Sequence, residues 1–318
     1  MKLIRRIFKR IAEALTKRYF HNLLLRSYAQ RGCKAHLLIM RWASIWYGLN
    51  LSGNVKTTLS NLYILFLHQA QLEIFEKGHT RSLGESPIGF ENLQIICHSS
   101  DANSSLVYLY GFSDNLTYFD IYQQHIVAGS TTLDIGANLG IHTAVMSRCV
   151  GEQGHVKAYE PVGRIFERLQ GTIQLNGLTN VDCRNTGVGD VPGTIGFDDL
   201  EGEFNIGKGQ VRNGAKSSIP ITTIDNEATE FTGRVSLMKI DVEGYELSVL
   251  RGAHNTLYQH KPILVCEFNP DTYSFSDFVE VIPYRSDFFQ IPNSHREQLK
   301  PIHPDRFSCA GDILVLPK

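Results

Sequence analysis

From Thr131 onward the chain alternates short apolar, β-branched runs with stretches whose apolar residues recur every three or four positions. TTLDIG, HVKAYEP, VSLMKIDVEG and KPILVCEFNP end in glycine, proline or asparagine and read as buried strands. Between them, LGIHTAVMSRCV, IFERLQGTIQLNG and YELSVLRGAHNTLYQH carry helical periodicity. VDCRNTGVGD adds a strand, and Thr194–Ile221 reads as a hairpin insertion. DFFQIP and GDILVLPK are two late strands. Repeated β-α-β units predict a parallel sheet with helices on both faces. Two late strands with little helix between them predict an antiparallel pair at one edge.

The pattern before Thr131 is different. In LIRRIFKRIAEALTKRYF, residues Ile4, Ile7, Phe8, Ile11 and Leu15 share one helical face, with most of the lysines and arginines on the other. HLLIMRWASIWYGL follows, with Trp42 and Trp46 four positions apart. Basic residues beside interfacial tryptophans are the pattern of a helix lying on an anionic membrane surface, and equally of a solvated helix packed on the body. Further on, LSNLYILFLHQAQLEIF reads as helix, FENLQIICH and SSLVYLYGF as short strands, and TYFDIYQQHIVAG as helix. The expected organisation is a basic helical extension at 1–50, a lead-in at 51–127 packing on the core, and a catalytic domain at 128–318.

Charge sharpens this division. Of the net −1 on 318 residues, residues 1–50 contribute +10 and the rest −11. A basic arm on an acidic body points to a separate task for the arm. With an acidic body and no RNA-reading motif, nucleic acid is not an expected partner. The six cysteines are scattered without metal-ligand spacing, which predicts reduced, mostly buried thiols in a cytosolic setting. No run approaches the roughly 18 apolar residues of a membrane span. The expected localisation is cytoplasmic, with peripheral membrane contact through residues 1–50.

The chemistry concentrates at strand ends. In DIGANLG, Gly136 and Gly140 let the backbone approach a ligand and take unusual φ values. The amides of the helix that follows suit a carboxylate or phosphate. Asp134 would repel a pyrophosphate and suit an ammonium or sulfonium, which favours a zwitterionic ligand such as the methionyl end of S-adenosylmethionine. Glu160, at the next strand end, is placed to accept two ribose hydroxyls of an adenosyl or a nicotinamide cofactor. Pro161 then opens a helix. The third strand end is either an ordinary strand-to-loop exit or a place where Gly187 leaves room for an adenine ring, whose edge the Val188 backbone would read.

In MKIDVEGYE, Asp241, Glu243 and Glu246 crowd the fourth strand exit. Three carboxylates there require a cation, whether a sulfonium, a metal ion, Lys239 or a shared proton. Glu243 and Glu246 also suit a helix N-terminus. Glu267 and Asn269 lie at the neighbouring exit, where with Asp241 they could ligate a hard cation. His142 is either a base or a packing partner.

LDIGANLGIHT, AYEP, LMKIDVEGYELSVLRGA and PILVCEFNP, in this order and spacing, resemble the FkbM family of methyltransferases over roughly residues 90–318. The resemblance implies an α/β, class I methyltransferase (Rossmann-like) doubly wound sheet, mostly parallel with an antiparallel C-terminal edge. It implies S-adenosyl-L-methionine as cofactor and O-methylation of a sugar, a glycan- or lipid-linked saccharide, or a natural product. The cofactor-binding set is then Asp134, Gly136, Ala137, Asn138, Gly140, Thr143, Glu160, Pro161, Gly187 and Val188. Asp241, with Glu243 second, would take the proton from the acceptor hydroxyl. No dedicated metal site is assigned. The basic arm and a short, proline-bearing segment after the fifth strand depart from the family pattern.

Three rivals stand beside this reading. A nicotinamide oxidoreductase shares the sheet but would want GxGxxG. A metal-assisted O-methyltransferase would use Asp241 and Glu267. A non-catalytic cofactor-binding module would be tethered to membrane by its arm.

Overall fold

The computed structural model describes residues 80–82, 93–96, 116–198, 210–211, 217–292, 297–303 and 307–318. The basic extension at 1–50, with its membrane contact, and most of the lead-in at 51–127 lie outside these residues.

Before the main sheet come β1 (Thr80–Ser82), β2 (Gln94–Ile96) and α1 (Leu116–His125). The alternating part begins with β3 (Thr131–Ile135), α2 (Ile141–Val150), β4 (His155–Tyr159), α3 (Gly163–Leu175) and β5 (Val181–Arg184). The insertion holds β6 (Gly187–Val188), β7 (Gly193–Asp198), β8 (Gln210–Val211) and β9 (Ser217–Thr222), followed by α4 (Ile224–Glu227). Next come β10 (Val235–Ile240), α5 (Glu246–Gly252), α6 (His254–His260), β11 (Ile263–Phe268) and α7 (Phe275–Glu280). The last strands are β12 (Ser286–Gln290), β13 (Lys300–Pro301) and β14 (Gly311–Pro317).

The main sheet has the order β13-β12-β14-β11-β10-β3-β4-β5. β5, β4, β3, β10 and β11 run parallel. The chain builds outward from β3 to β5, then returns to the other side of β3 with β10. The switch point of this doubly wound sheet therefore lies between the carboxyl ends of β3 and β10.

β14 is antiparallel to both β11 and β12 and inserts between them. The late antiparallel strands expected at one edge are thus present, with the last strand on the inner side of the pair. Its centre, Ile313, Leu314 and Val315, is fully buried, which is the reward for entering the sheet and not lying on its rim. The insertion forms its own sheet, β6-β9-β7-β8, in which the expected antiparallel hairpin pairing is β7 with β9. The single helix expected after β10 is two, α5 and α6, meeting at Ala253.

Strand alternation sorts side chains onto two apolar layers. Leu133, Ile135, Met238, Ile240, Leu264 and Cys266 join Val249, Leu250, Leu257, Phe275 and Phe278 from α5 to α7. Leu237, Val265 and Leu314 face the other way, onto Phe119 and Tyr122 of α1, Val145 and Met146 of α2, and Ile95 of β2. Asp134 and Lys239 alternate onto this second face, directly opposite one another in register. Cys266 is buried, Cys149 and Cys183 are half-buried and Cys309 is exposed, so thiol burial is less complete than expected. Among the described residues, no helix is long and apolar enough to cross a membrane.

Candidate active site at the switch point

β3 ends at Ile135, and the chain turns through three left-handed residues, Gly136 (φ +81°), Asn138 (φ +50°) and Gly140 (φ +85°), before α2 begins. A Cβ on Gly136 would lie 1.9 Å from the Asp241 carbonyl oxygen, so the turn sits hard against the exit of β10. The amides of Gly136 and Ala137 both donate to the Tyr159 carbonyl at 3.0 Å, which pins the same turn to the end of β4. Gly140 caps α2 without any side-chain acceptor for the first-turn amides.

Glu160 ties the next exit to this turn. One carboxylate oxygen accepts from the Asn138 amide and the other from the Val162 amide, each at 3.0 Å. Each oxygen keeps further acceptor capacity. Burial pushes the Glu160 carboxyl up to about 7, against the opposing pull of those two amides. Pro161 does not open the helix: Val162 is the cap and α3 starts at Gly163, two residues later than expected. Its carbonyl accepts from the Asn185 side chain at 3.1 Å. In β6, Val188 is buried and Gly187 is covered by Ile221, whose Cδ1 would stand 2.6 Å from a Cβ there.

Asp134 is wholly buried behind the turn. It accepts from the Thr143 hydroxyl at 2.5 Å and lies 3.6 Å from the Lys239 ammonium. Lys239, itself buried, reaches Asp241 at 3.2 Å and the Gly136 carbonyl at 3.4 Å. Burial raises the Asp134 carboxyl despite Lys239 and Thr143. Burial alone would lower Lys239, but Asp241 and Asp134 overcome it and hold the ammonium above the ordinary lysine range. Lys239 is thus one of the cations expected among the acids: it joins the acid under the turn to the acid at the β10 exit.

Asp241 is half-exposed and borders a cavity of about 180 Å³ together with Tyr118, His142, Lys239, Ile240, Val265 and Asp312. Register explains the acid crowding. Ile240 pairs with Cys266 and Glu267 pairs with Asp312, so Asp241, Glu267 and Asp312 occupy three neighbouring strand ends. Burial, then Asp241, Glu243, Glu246 and Asp312, push Glu267 up to about 8. Burial also raises Asp312, opposed by a hydrogen bond from the Tyr118 hydroxyl. Glu243 is exposed with φ +54°.

Glu246 is buried; its carboxylate accepts from the Gly244 amide at 2.9 Å, the Val242 amide at 3.3 Å and the Tyr273 hydroxyl at 3.3 Å. That is the helix-start role open to it in the sequence. The Asn269 side-chain oxygen accepts from the Asp271 amide at 3.0 Å. Among the described residues, no group of three His, Cys, Asp or Glu side chains is arranged to hold a metal ion.

Tyr118, Tyr122 and Asp312 went unassigned in the sequence. The tyrosines are four apart and so share a face of α1, but only the fold brings that face over His142 and the cavity. Asp312 becomes visible as a site residue once β14 is placed antiparallel beside β11.

A mostly parallel, doubly wound sheet with a glycine turn and crowded acids at its switch point is the fold of the class I methyltransferases. Residues 134–290, just under half of the chain, match the methyltransferase FkbM domain. Hexuronic acid methyltransferase AglP of Haloferax volcanii is 30% identical over 135 residues, 42% of this chain and 53% of that protein. Methyltransferase 1 of Beauveria bassiana is 27% identical over 167 residues, 45% of this chain and 67% of that protein. The match to the first therefore spans about half its length. A solved FkbM methyltransferase from Methylobacillus flagellatus overlays 67% of this chain and 54% of its own, at 15% identity and TM-score 0.40.

The residues present fit S-adenosylmethionine, the methyl donor that the sequence resemblance implies. Four carboxylates, Asp241, Glu243, Glu267 and Asp312, interact around a space whose described cation, Lys239, is already shared, so a positively charged ligand relieves their repulsion. Glu160 offers ionisable acceptor oxygens beside the turn, as ribose hydroxyls require.

Proposed function

We propose that this chain methylates a hydroxyl oxygen on a sugar, a glycan- or lipid-linked saccharide, or a natural product. The observation that carries this reading is the cavity at the switch point, where Asp241 and Asp312 stand beside the glycine turn. The name of the archaeal relative, a hexuronic acid methyltransferase, supports a saccharide acceptor.

When bound, S-adenosylmethionine supplies an electrophilic methyl group on a cationic sulfur. The chain's own part is to hold and align. Gly136, Ala137, Asn138 and Gly140 bring backbone close to the ligand, Asp134 and Thr143 brace the turn from behind, and Glu160 accepts hydroxyls. Pro161, Gly187 and Val188 shape the space beyond Glu160. Much of the rate comes from fixing the acceptor oxygen in line. An aliphatic hydroxyl must shed its proton as the bond to carbon forms; Asp241 receives it, with Glu243 the second candidate on the same loop.

The test is mass-spectrometric. The protein is incubated with S-adenosylmethionine and a panel of glycosides, uronic acids and polyol natural products. Gain of one methyl on a hydroxyl supports the reading; methylation confined to nitrogen or carboxylate overturns it.

The protein is further proposed to work in the cytoplasm, with residues 1–50 touching anionic membrane. The charge pattern of that arm supports this. Co-sedimentation with anionic vesicles, lost on deleting 1–50, is the expected result.

A further inference from the structure

His142 is the second residue of α2, and its Nδ1 lies 2.9 Å from the Tyr122 hydroxyl. Tyr118 and Tyr122 meet the ring edge-on, with centroids at 5.3 and 5.8 Å and interplanar angles of 78°. The ring is thereby held by two edge-on aromatic contacts and one hydrogen bond, and it borders the cavity.

The contacts of the pair point to the nitrogen that carries the hydrogen. Burial and the nearby Lys239 charge push the imidazolium well below its ordinary value, so the ring is neutral at physiological pH and holds one proton. Burial, with Asp134 and other acids, raises Tyr122 well above a free phenol, so its O–H is intact. Tyr122 is fully buried, and among the described residues His142 is the partner of its hydroxyl. If Nδ1 carried the ring proton, the phenol hydrogen would be buried with no acceptor, a costly arrangement. The phenol therefore donates to Nδ1, and the proton sits on Nε2.

Among the described polar groups lining the cavity, the other donors are committed. The Tyr118 hydroxyl donates to Asp312, and Lys239 is shared by Asp134, Asp241 and the Gly136 carbonyl. Asp241 and Asp312 are acceptors. His142, which borders this acid-rich space, thus carries a neutral N–H on the first turn of a helix whose N-cap, Gly140, offers no side-chain cap. A neutral N–H beside helix-start amides suits a carboxylate.

We infer that His142, held by Tyr122 in the Nε2–H tautomer, donates a hydrogen bond to the α-carboxylate of the methyl donor's amino-acid end. This rests on the methyltransferase reading. His142 is on this account a binding residue, and Tyr122 acts through it.

Two probes separate the carboxylate from the rest of the donor. S-adenosylhomocysteine carries the amino-acid end; 5′-methylthioadenosine keeps the adenosyl thioether and lacks it. In calorimetric titrations, His142→Phe, which keeps a flat ring without the donor, should weaken S-adenosylhomocysteine about tenfold and 5′-methylthioadenosine by less than about twofold. Tyr122→Phe should show a smaller loss with the same selectivity. Nitrogen-15 NMR of the wild type should report an unprotonated Nδ1 and a protonated Nε2. Equal losses on both probes, no loss on either, or a protonated Nδ1 would overturn the assignment. If wild type binds neither probe, the methyltransferase reading itself falls, an outcome distinct from a wild type that binds and a His142→Phe that binds equally well.

Discussion

The carbonyl oxygen of Asp241 occupies the space that a side chain on Gly136 would need, 1.9 Å from the position of its Cβ. The exits of β3 and β10 are thus locked backbone to backbone, and the proposed proton acceptor is placed by the glycine turn. Gly136→Ala meets both this contact and a φ of +81°. It should destabilise the fold by about 3 kcal/mol or more and weaken S-adenosylhomocysteine, as read by urea unfolding and calorimetry.

Glu246 holds the loop that carries Asp241 and Glu243, through the Val242 and Gly244 amides. Glu246→Ala leaves both donors without their buried acceptor and should cost about 2–3 kcal/mol. Glu246→Gln retains one acceptor oxygen and should cost less. An unchanged urea midpoint in Glu246→Ala would show that the loop is held by something else.

Much of this arrangement was legible in the sequence because period-2 and period-3.6 patterns report burial directly, and β3, β4, β10 and β11 are buried strands of that kind. The glycine turn and the acids Asp134, Glu160 and Asp241 were visible because unusual backbone and crowded charge leave local marks. What escaped depended on long-range register. Asp312 faces Glu267 only because β14 enters the sheet antiparallel beside β11. Tyr118 and Tyr122 reach His142 only because α1 packs over α2, and nothing local separates them from other core aromatics. Pro161 is a common first helical residue and suggests a helix start there, whereas Glu160 draws the Val162 amide to itself and α3 begins at Gly163.

Lys239 joins the buried Asp134 to Asp241. Lys239→Met strands a buried carboxylate and should destabilise by about 3–5 kcal/mol. Adding Asp134→Asn should recover a large part of that loss, since the stranded charge is removed. Additive losses in the double variant would mean the two residues do not act as a pair.

The raised Glu160 carboxyl makes stability depend on pH. Its folded value, about 7, lies above its ordinary 4.5, so the native state binds the extra proton between these values. The resulting contribution is fully present below about 4.5 and is lost as pH rises through about 7, on the order of 3 kcal/mol in all. Ligand hydroxyls prefer the ionised form, so S-adenosylhomocysteine affinity should rise over the same interval. Urea midpoints and titrations at pH 5.5 and 8 should show both trends, and Glu160→Gln should flatten them. Parallel slopes in wild type and variant would assign the effect to other groups, Glu267 among them.

Asp241→Asn keeps the size of the side chain and removes its capacity to take a proton. Once an acceptor is found, methyl transfer should fall by about a hundredfold or more with S-adenosylhomocysteine binding changed far less. Retained activity would move the proton to another carboxylate of the cavity.

The most direct test of the central claim is a calorimetric titration of the full chain with S-adenosylhomocysteine, with NADH as control and Glu160→Ala as the binding-site variant. The account predicts micromolar binding of S-adenosylhomocysteine to wild type, its loss in Glu160→Ala, and no heat from NADH. Heat from NADH alone, or S-adenosylhomocysteine binding undisturbed by Glu160→Ala, would contradict the site described between β3 and β10.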